Sequence, residues 1–235
     1  SKAGTFTHSL NEGVLKHFID ITDTLSTDDT IAKIESLNWN NHQDTIKTIL
    51  QPISKVYSDI KLISSLNDID KHNLQALFEG AKDLFIQVHR RQQYINRRLN
   101  TNGKADIYLE QILIDPKNDI GGTADMIVVY SDNTAAAFDF KTKIPAKKYL
   151  DSEGNLISRD YITYTAKENY KIQLASIQRI LTKRYGVKQV VQSRIVPIQL
   201  NMFQNDDGTY SNTITKIVYG AKQNEFLAQY APLPE

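Results

Sequence analysis

A long amphipathic helix is the clearest feature in the pattern of apolar and polar positions. From Asp70 onward, apolar residues recur at three- and four-residue steps, which is the spacing of one helical face. These residues are Leu74, Leu77, Phe78, Ala81, Leu84, Phe85, Val88, Ile95 and Leu99. The pattern ends at the turn sequence Asn100–Gly103. The spacing therefore predicts a helix that ends near Leu99.

The segment before this helix also has the features of helices. The sequence STDD at Ser26–Asp29 is a typical N-terminal cap ahead of the apolar residues in IAKIESL. Pro52 is expected to kink or interrupt the next helical segment, because proline lacks the amide hydrogen that a helix interior uses. We therefore predict a helical N-terminal region over residues 1–70.

After Gly103 the pattern changes to short apolar runs separated by turn residues, which is typical of strands. The predicted strands are 105–114, two within 121–143, 187–200 and 212–220. Residues 144–165 have no clear period and predict a loop or small hairpin. Thr165 and Glu168 form a capping-box pattern ahead of a helix that closes at Gly186. This order predicts an α/β domain over residues 71–235, with a mixed central β-sheet flanked by helices.

Composition indicates a globular chain with no global attraction to polyanions. The chain has 235 residues, a formal net charge of +1 and no cysteine, which excludes disulfides and thiolate metal sites. No apolar run approaches the ~20 residues that span a bilayer, and the first residues lack the apolar segment of a signal peptide. We therefore expect no membrane association and a cytoplasmic location, in a bacterium or in the host cell of a virus.

Three charged residues interrupt the apolar run of residues 121–143. They are Asp125, Asp139 and Lys141. If Ser131-Asp132-Asn133 form a three-residue hairpin loop, counting outward along the strands places Asp125 opposite Asp139, with Lys141 on the same face. A two-residue loop would move Asp125 to the other face. The interpretation of these residues as a site therefore requires a loop with an odd number of residues, or a β-bulge.

Two facing carboxylates repel each other unless a cation or a proton lies between them. Mg²⁺ or Mn²⁺ would supply that charge, because hard divalent ions prefer oxygen ligands. Lys141 beside the ion could orient a water or stabilise charge on a phosphate, so this set suits phosphodiester hydrolysis. A structural ion pair at a strand end is the alternative, and for the Asp-x-Lys tripeptide alone it is favoured.

Three motifs in this order resemble the PD-(D/E)xK nuclease superfamily, and in particular its RecB-like exonuclease branch. They are GTAD (Gly122–Asp125), DFK (Asp139–Lys141) and YKIQLASIQ (Tyr170–Gln178). The resemblance covers about residues 75–200 and leaves residues 1–70 outside. It implies a restriction-endonuclease-like core and a Mg²⁺- or Mn²⁺-dependent nuclease that leaves 5′-phosphate and 3′-hydroxyl ends, acting on DNA more than on RNA.

The resemblance also implies roles for individual residues of the hairpin and the helix after it. Asp125 and Asp139 would bind the metal, with the carbonyl of Phe140 as a third ligand. Lys141 would be the catalytic lysine. Gln173 would match the catalytic glutamine that family members carry near the scissile strand.

Further ligands are expected from the elements before the hairpin. Glu110 would bind the metal directly or through water. His89 would be the histidine of an upstream helix, with Glu79 as the alternative and a core or surface histidine as an equal interpretation. Ala124 replaces the proline of the motif's name. Ile177 occupies the place where the RecB-like branch commonly has a tyrosine.

Two basic segments are expected to flank the site and bind phosphates, together with Tyr170. Their residues are Arg90, Arg91, Arg97, Arg98, Lys143, Lys147 and Lys148. Charge runs are usually solvated faces, so these assignments depend on the fold. The competing hypothesis is an inactive nuclease-fold module that binds nucleic acid or protein. In a third hypothesis, residues 1–70 form an interaction domain that recruits a protein partner.

Overall fold

Helices and strands alternate in blocks along the part of the chain that the structure describes. The computed structural model describes residues 2–58, 71–143, 153, 159–204, 206–207 and 210–220. The helices are α1 (Lys2–Thr22), α2 (Thr27–Ser36), α3 (Trp39–Ser58), α4 (Lys71–Leu99) and α5 (Arg159–Arg184). The strands are β1 (Asp106–Asp115), β2 (Ile120–Val129), β3 (Thr134–Lys143), β4 (Gln189–Gln204) and β5 (Tyr210–Tyr219). Within these ranges, none of the helices has the length and apolar content needed to span a membrane.

The strands form one mixed sheet in the order β1-β2-β3-β4-β5. β1, β2 and β3 are antiparallel neighbours, β4 runs parallel to β3, and β5 is antiparallel to β4. The chain between β3 and β4 contains α5, which is the helical crossover that a parallel pair requires. The predicted α/β class, with a mixed sheet and a helical region before it, is confirmed.

Helices cover both faces of the sheet. In the larger core, Phe18 of α1 and Phe78 of α4 pack with Phe138 of β3. In the smaller core, Ile177 of α5 packs on Ala137, the neighbour of Phe138 on the opposite face of β3. The helices α1–α4 therefore form one layer and α5 forms the other, with the sheet between them.

A buried glutamine fixes the β2–β3 hairpin to α4. Gln92 has no exposed surface, and its Nε2 donates to the hydroxyl of Ser131 at 2.6 Å. The amide of Ser131 donates back to Oε1 of Gln92 at 3.0 Å. These two hydrogen bonds hold the hairpin loop in one position relative to the helical layer.

Two helices differ from the sequence prediction. Pro52 lies inside α3 and does not end it. Ile46 and Leu50 of α3 are completely buried, and packing of this kind outweighs the roughly 3 kcal/mol cost of an interior proline. α5 is helical from Arg159, so the capping-box pattern at Thr165 lies inside the helix rather than at its start.

β1 and β2 change the face that their side chains occupy at one common position. Leu109 of β1 packs in the larger core and Leu113 packs against α5, although an even separation normally keeps two strand residues on one face. Met126 and Ala124 of β2 differ in the same way. Glu110 lies at this switch with a φ of +49°. A left-handed backbone at a non-glycine residue costs about 1–2 kcal/mol, and such residues concentrate at functional sites.

Candidate metal centre

The β2–β3 hairpin closes through the three-residue loop that the sequence predicted. The amide of Tyr130 donates to the carbonyl of Thr134 at 2.8 Å. Asn133 has the left-handed φ, +61°, that such a loop requires. The odd loop length that the interpretation as a site requires is therefore present.

The backbone ladder of this hairpin stops one residue short of the aspartates. Its last pair joins Met126 to Phe138. Beyond that pair, the amide of Phe140 donates to Oδ2 of Asp125 at 2.6 Å. In a continued ladder this amide would meet a backbone carbonyl, so the side chain of Asp125 takes the place of a strand partner.

The same hydrogen bond keeps the carboxyl groups of Asp125 and Asp139 near each other. The nitrogen of Phe140 is bonded to the carbonyl carbon of Asp139, and standard bond lengths then limit the separation of the two carboxyl groups to roughly 9 Å at full extension. This spacing is compatible with one site that both aspartates line.

An imidazole and two carboxylates meet where β1 and β2 change faces. Nε2 of His8, on α1, lies 2.8 Å from Oε1 of Glu110 and 3.7 Å from Oδ1 of Asp125. One ligand atom from each of the three residues lies within 4.8 Å of the other two. Nitrogen and oxygen atoms at this spacing could hold a divalent ion.

The charge balance of this group fits a bound cation. Burial raises the pKa of Asp125, Asp139 adds to the effect, and the amide of Phe140 offsets only part of it. Burial also raises the pKa of Glu110, with further contributions from Glu12 and Asp139. The acids therefore resist ionising together, and a divalent cation would remove that penalty.

The surroundings of His8 favour the neutral form of its ring. Burial lowers its pKa, Asp139 opposes this effect and Lys141 reinforces it. Neutral imidazole is the form that binds metals, and Nε2, which faces Glu110 here, would present its lone pair to the ion. The ring of Phe140 meets His8 edge-on, with ring centres 6.1 Å apart, which limits its rotation.

A second polar group extends from β3 toward α5. Nζ of Lys141 lies 2.7 Å from Oδ2 of Asp139. Nε2 of Gln173 donates to Oδ1 of Asp139 at 3.1 Å, and Nζ of Lys141 donates to Oε1 of Gln173 at 3.4 Å. The ring of Tyr170 lies 5.0 Å from Nζ of Lys141. Asp139 is almost completely buried whereas Lys141 is partly exposed, so the ammonium group faces the accessible side.

The histidine beside the carboxylates is His8 and not His89. Nδ1 of His89 lies 2.8 Å from the carbonyl of Phe85, and the two rings pack at 4.4 Å. His89 borders a separate cavity of about 190 Å³ lined by α1, α2, α4 and the start of β1. The prediction for His89 is corrected, because its face of α4 turns into the helical layer. Glu79, the alternative, is next to Gly80, where α4 packs closely on Tyr219 of β5 at the other edge of the sheet.

Two of the four predicted arginines of α4 have partners in other parts of the fold. Arg90 forms an ion pair with Glu35 of α2. Arg91 lies over the ring of Tyr130, 5.4 Å from its centre, at the end of β2 that leads into the hairpin loop. Neither arginine is therefore directed at the carboxylates.

The other two arginines also lie at the hairpin-loop end. Arg98 is 3.7 Å from Asp132 in that loop, and Arg97 lines a shallow pocket formed with residues of α2 and the α4–β1 turn. Asp125 is seven residues along β2 from Asp132, roughly 20 Å at strand spacing. The expectation that this helix flanks the carboxylates is therefore corrected.

The predicted basic loop cannot be compared with the fold in the same way. Lys143 is the last residue of β3, and its side chain lies outside the described residues, as do Lys147 and Lys148. Their phosphate-binding role stays a prediction, as does the role of the Phe140 carbonyl.

Sequence reasoning missed the contribution of α1. His8 contacts two carboxylates, and Glu12 adds negative charge near Glu110. Both residues lie on α1, and the apolar stripe of this helix includes Phe6 and Leu10. That stripe indicates a helix packed on a core, but no local pattern shows which strands it packs on.

Comparisons with known proteins add little to this geometry. No protein-family model and no curated protein matches the chain. A solved protein from Eubacterium rectale, named "Putative exonuclease", aligns with 74% of this chain and 60% of its own, at 14% identity and a TM-score of 0.22. A TM-score this low does not establish a common fold. This chain thus spans less than two thirds of that protein.

Proposed function

We propose that this protein is a metal-dependent nuclease that hydrolyses phosphodiester bonds in nucleic acid. The observation that carries the proposal is the His8–Glu110–Asp125 group, whose Asp125 accepts a hydrogen bond from the amide of the residue that follows the buried Asp139. The preference for DNA, and for 5′-phosphate products, rests on the resemblance of the three motifs alone.

His8, Glu110 and Asp125 would hold a Mg²⁺ or Mn²⁺ ion, with Asp139 as a further oxygen donor. Such an ion, when bound, would neutralise charge on the scissile phosphate and make an attacking water more acidic. The carboxylates provide the hard oxygen ligands that these ions prefer. His8 adds a neutral nitrogen, which does not increase the negative charge that a phosphate must approach.

Lys141 would act on the substrate side of the site. Its ammonium group is partly exposed, and its two neighbours Asp139 and Gln173 hold it at 2.7 and 3.4 Å. An ammonium group fixed there can orient a water or stabilise charge on the phosphate. The ring of Tyr170 restricts it from a third direction.

Gln173 would be a positioning residue. Its amide nitrogen donates to Asp139 and its amide oxygen accepts from Lys141. One side chain therefore holds both the carboxylate of Asp139 and the ammonium group of Lys141. Removal of this amide should lower turnover more than metal affinity, because these hydrogen bonds join Gln173 to Asp139 and Lys141 rather than to the His8–Glu110–Asp125 group.

The test is cleavage of labelled single- and double-stranded DNA and RNA in Mg²⁺ or Mn²⁺. Activity should require the metal and should fall by about 100-fold or more in Asp125→Asn and Lys141→Ala, which is the usual scale for groups that act in the transition state. Asp119→Asn is the matched control, since Asp119 lies in the β1–β2 turn, where asparagine tolerates its φ of +52°. That variant should retain wild-type activity.

The panel also separates the competing hypothesis. Binding of nucleic acid without cleavage under every metal condition would identify an inactive nuclease-fold module and overturn the proposal. Equal cleavage by the wild type, Asp125→Asn and Lys141→Ala would overturn it as well, because the activity would then arise elsewhere.

A further inference from the structure

Two histidines, one on α1 and one on α3, lie in contact away from the carboxylates. Nε2 of His17 lies 2.8 Å from Nε2 of His42. Their ring centres are 5.1 Å apart, with an angle of 29° between the rings. Both residues are partly exposed, so an ion can reach them from solvent.

This spacing is close to that of two imidazoles bound to one tetrahedral ion. At Zn–N distances of 2.0–2.1 Å, tetrahedral geometry places the two nitrogens about 3.3 Å apart and the ring centres about 5.2 Å apart. The ring centres already have this separation. In the structure the two rings point at each other almost in line, as in an N–H···N hydrogen bond. To bind one ion, the nitrogens would have to move apart by about 0.5 Å, which requires each ring to turn by about 35°.

Aromatic residues of the core hold both rings in place. The His42 ring packs 6.0 Å from Phe78, and the His17 ring packs 6.1 Å from Phe18. Burial lowers the pKa of both histidines, which favours the neutral form that binds metals. Asp20 lies one helical turn after His17 and acts on it as a negative charge. Lys33 acts on His42 as a positive charge, so the effect of Asp20 is partly offset across the pair.

We propose that His17 and His42 bind a transition-metal ion, in particular Zn²⁺, that links α1 to α3. Imidazole nitrogens select zinc and copper, whereas the carboxylate-rich group around Asp125 suits magnesium and manganese. Water would complete the coordination of the ion. Since α1 also carries His8, an ion at His17 would restrain the helix that supplies a ligand to the candidate metal centre.

The chain offers a direct probe, because Trp39 is its only tryptophan. The Trp39 ring packs 5.5 Å from Phe78, the same ring that His42 contacts. Cu²⁺ quenches tryptophan fluorescence at short range and binds imidazole more tightly than Zn²⁺ does. Titration of the full chain with Cu²⁺ should quench Trp39 at one equivalent, and Zn²⁺ should reverse the quenching by competition.

The titration is best done in the Asp125→Asn background, which weakens the other metal group. His17→Gln and His42→Gln should each lower the Cu²⁺ affinity by at least 10-fold. His72→Gln, at an exposed position near the start of α4, is the matched control and should leave the affinity unchanged. Circular dichroism without metal identifies any variant that fails to fold, and His17→Asn and His42→Asn replace such a variant.

Two results would overturn the proposal. One is Cu²⁺ quenching with equal affinity in folded His17 and His42 variants and in the His72 control. The other is an absence of quenching in the parent protein. Neither result bears on magnesium-dependent cleavage, which uses different residues, so this proposal and the nuclease proposal fail separately.

Discussion

Asp125 is buried and lies beside other acids, and both features bear on the stability of the metal-free protein. Its carboxyl group accepts a 2.6 Å hydrogen bond from the amide of Phe140, yet burial and Asp139 together still raise its pKa. At neutral pH, ionisation of Asp125 therefore opposes folding. A structural aspartate would be expected to gain stability from its charge, so the cost at Asp125 is in keeping with the proposal that this group binds a cation.

The first prediction concerns the pH dependence of stability without metal. The folded protein holds the proton of Asp125 more tightly than the unfolded chain does, so its contribution is present at low pH and is lost as pH rises toward the folded pKa. Asp125→Asn keeps the hydrogen-bond acceptor and removes the charge. The variant should gain stability relative to the wild type between about pH 5 and pH 8, by at most about 1.4 kcal/mol per pH unit.

The measurement is urea unfolding of both proteins across this pH range in the presence of EDTA. The difference between the two free energies of unfolding cancels the titration of shared groups that do not interact with Asp125, whereas Glu110 contributes to the difference because its charge acts on Asp125. Mg²⁺ should reduce the difference, because it compensates the charge of Asp125. A difference that stays constant with pH would contradict a raised pKa.

At the scale of elements, the site exists because β1 and β2 change faces at the same level. In a regular strand, side chains alternate between the two faces of the sheet, so residues two apart lie on the same face. The left-handed φ of Glu110 interrupts this alternation in β1. The interruption lies where α1 crosses the strands, so His8 meets both carboxylates. The strained residue and the ligand group are therefore parts of one local arrangement.

The second prediction tests whether Glu110 stores backbone strain. Glycine adopts a positive φ without steric cost, so Glu110→Gly should be as stable as Glu110→Gln or more stable by up to about 1 kcal/mol. Both variants remove the charge and should bind Mg²⁺ weakly. Chemical unfolding of the metal-free proteins gives the comparison.

Gln111 provides the matched control for this comparison, since it is the next residue of β1 and pairs with Ala124 in the regular ladder. There glycine should lower the free energy of unfolding by about 0.5–1 kcal/mol. Equal losses from glycine at 110 and 111 would show that the φ of Glu110 stores no strain.

The same elements show what the sequence could and could not predict. The odd length of the hairpin loop was predictable, because strand alternation is a local rule. The position of Asp125 directly opposite Asp139 stays a prediction, since the ladder ends at Met126 and Phe138 and Asp125 accepts a hydrogen bond from the amide of Phe140. The switch at Glu110 was not predictable, since nothing in the residue type requires a positive φ. His8 was missed for another reason: its neighbours are set by how α1 packs on the sheet, and a local pattern carries no such information.

At the scale of the whole molecule, α1 connects the core, the candidate metal centre and the second histidine pair. Leu10 and Phe18 of α1 are completely buried in the larger core, between the helices and the sheet. His8 lies on the same helix and contacts β1 and β2 through Glu110 and Asp125. A helical region before the sheet was thus predicted correctly, and the structure gives it a contribution to the site that a separate recruiting module would not make.

The last prediction separates this contribution of α1 from general stability. Leu10 of α1 and Leu181 of α5 are both buried, one on each side of the sheet, and replacement of either by alanine should cost about 2–5 kcal/mol. Leu10→Ala loosens the helix that holds His8, whereas Leu181→Ala leaves His8, Glu110 and Asp125 in place. We therefore expect Mg²⁺ affinity to fall several-fold in Leu10→Ala and to stay close to wild type in Leu181→Ala. Isothermal titration at a temperature where both variants remain folded measures the two affinities. Equal affinities would mean that His8 is held by its immediate contacts alone, because a loosened α1 would then have no effect on the metal ligands.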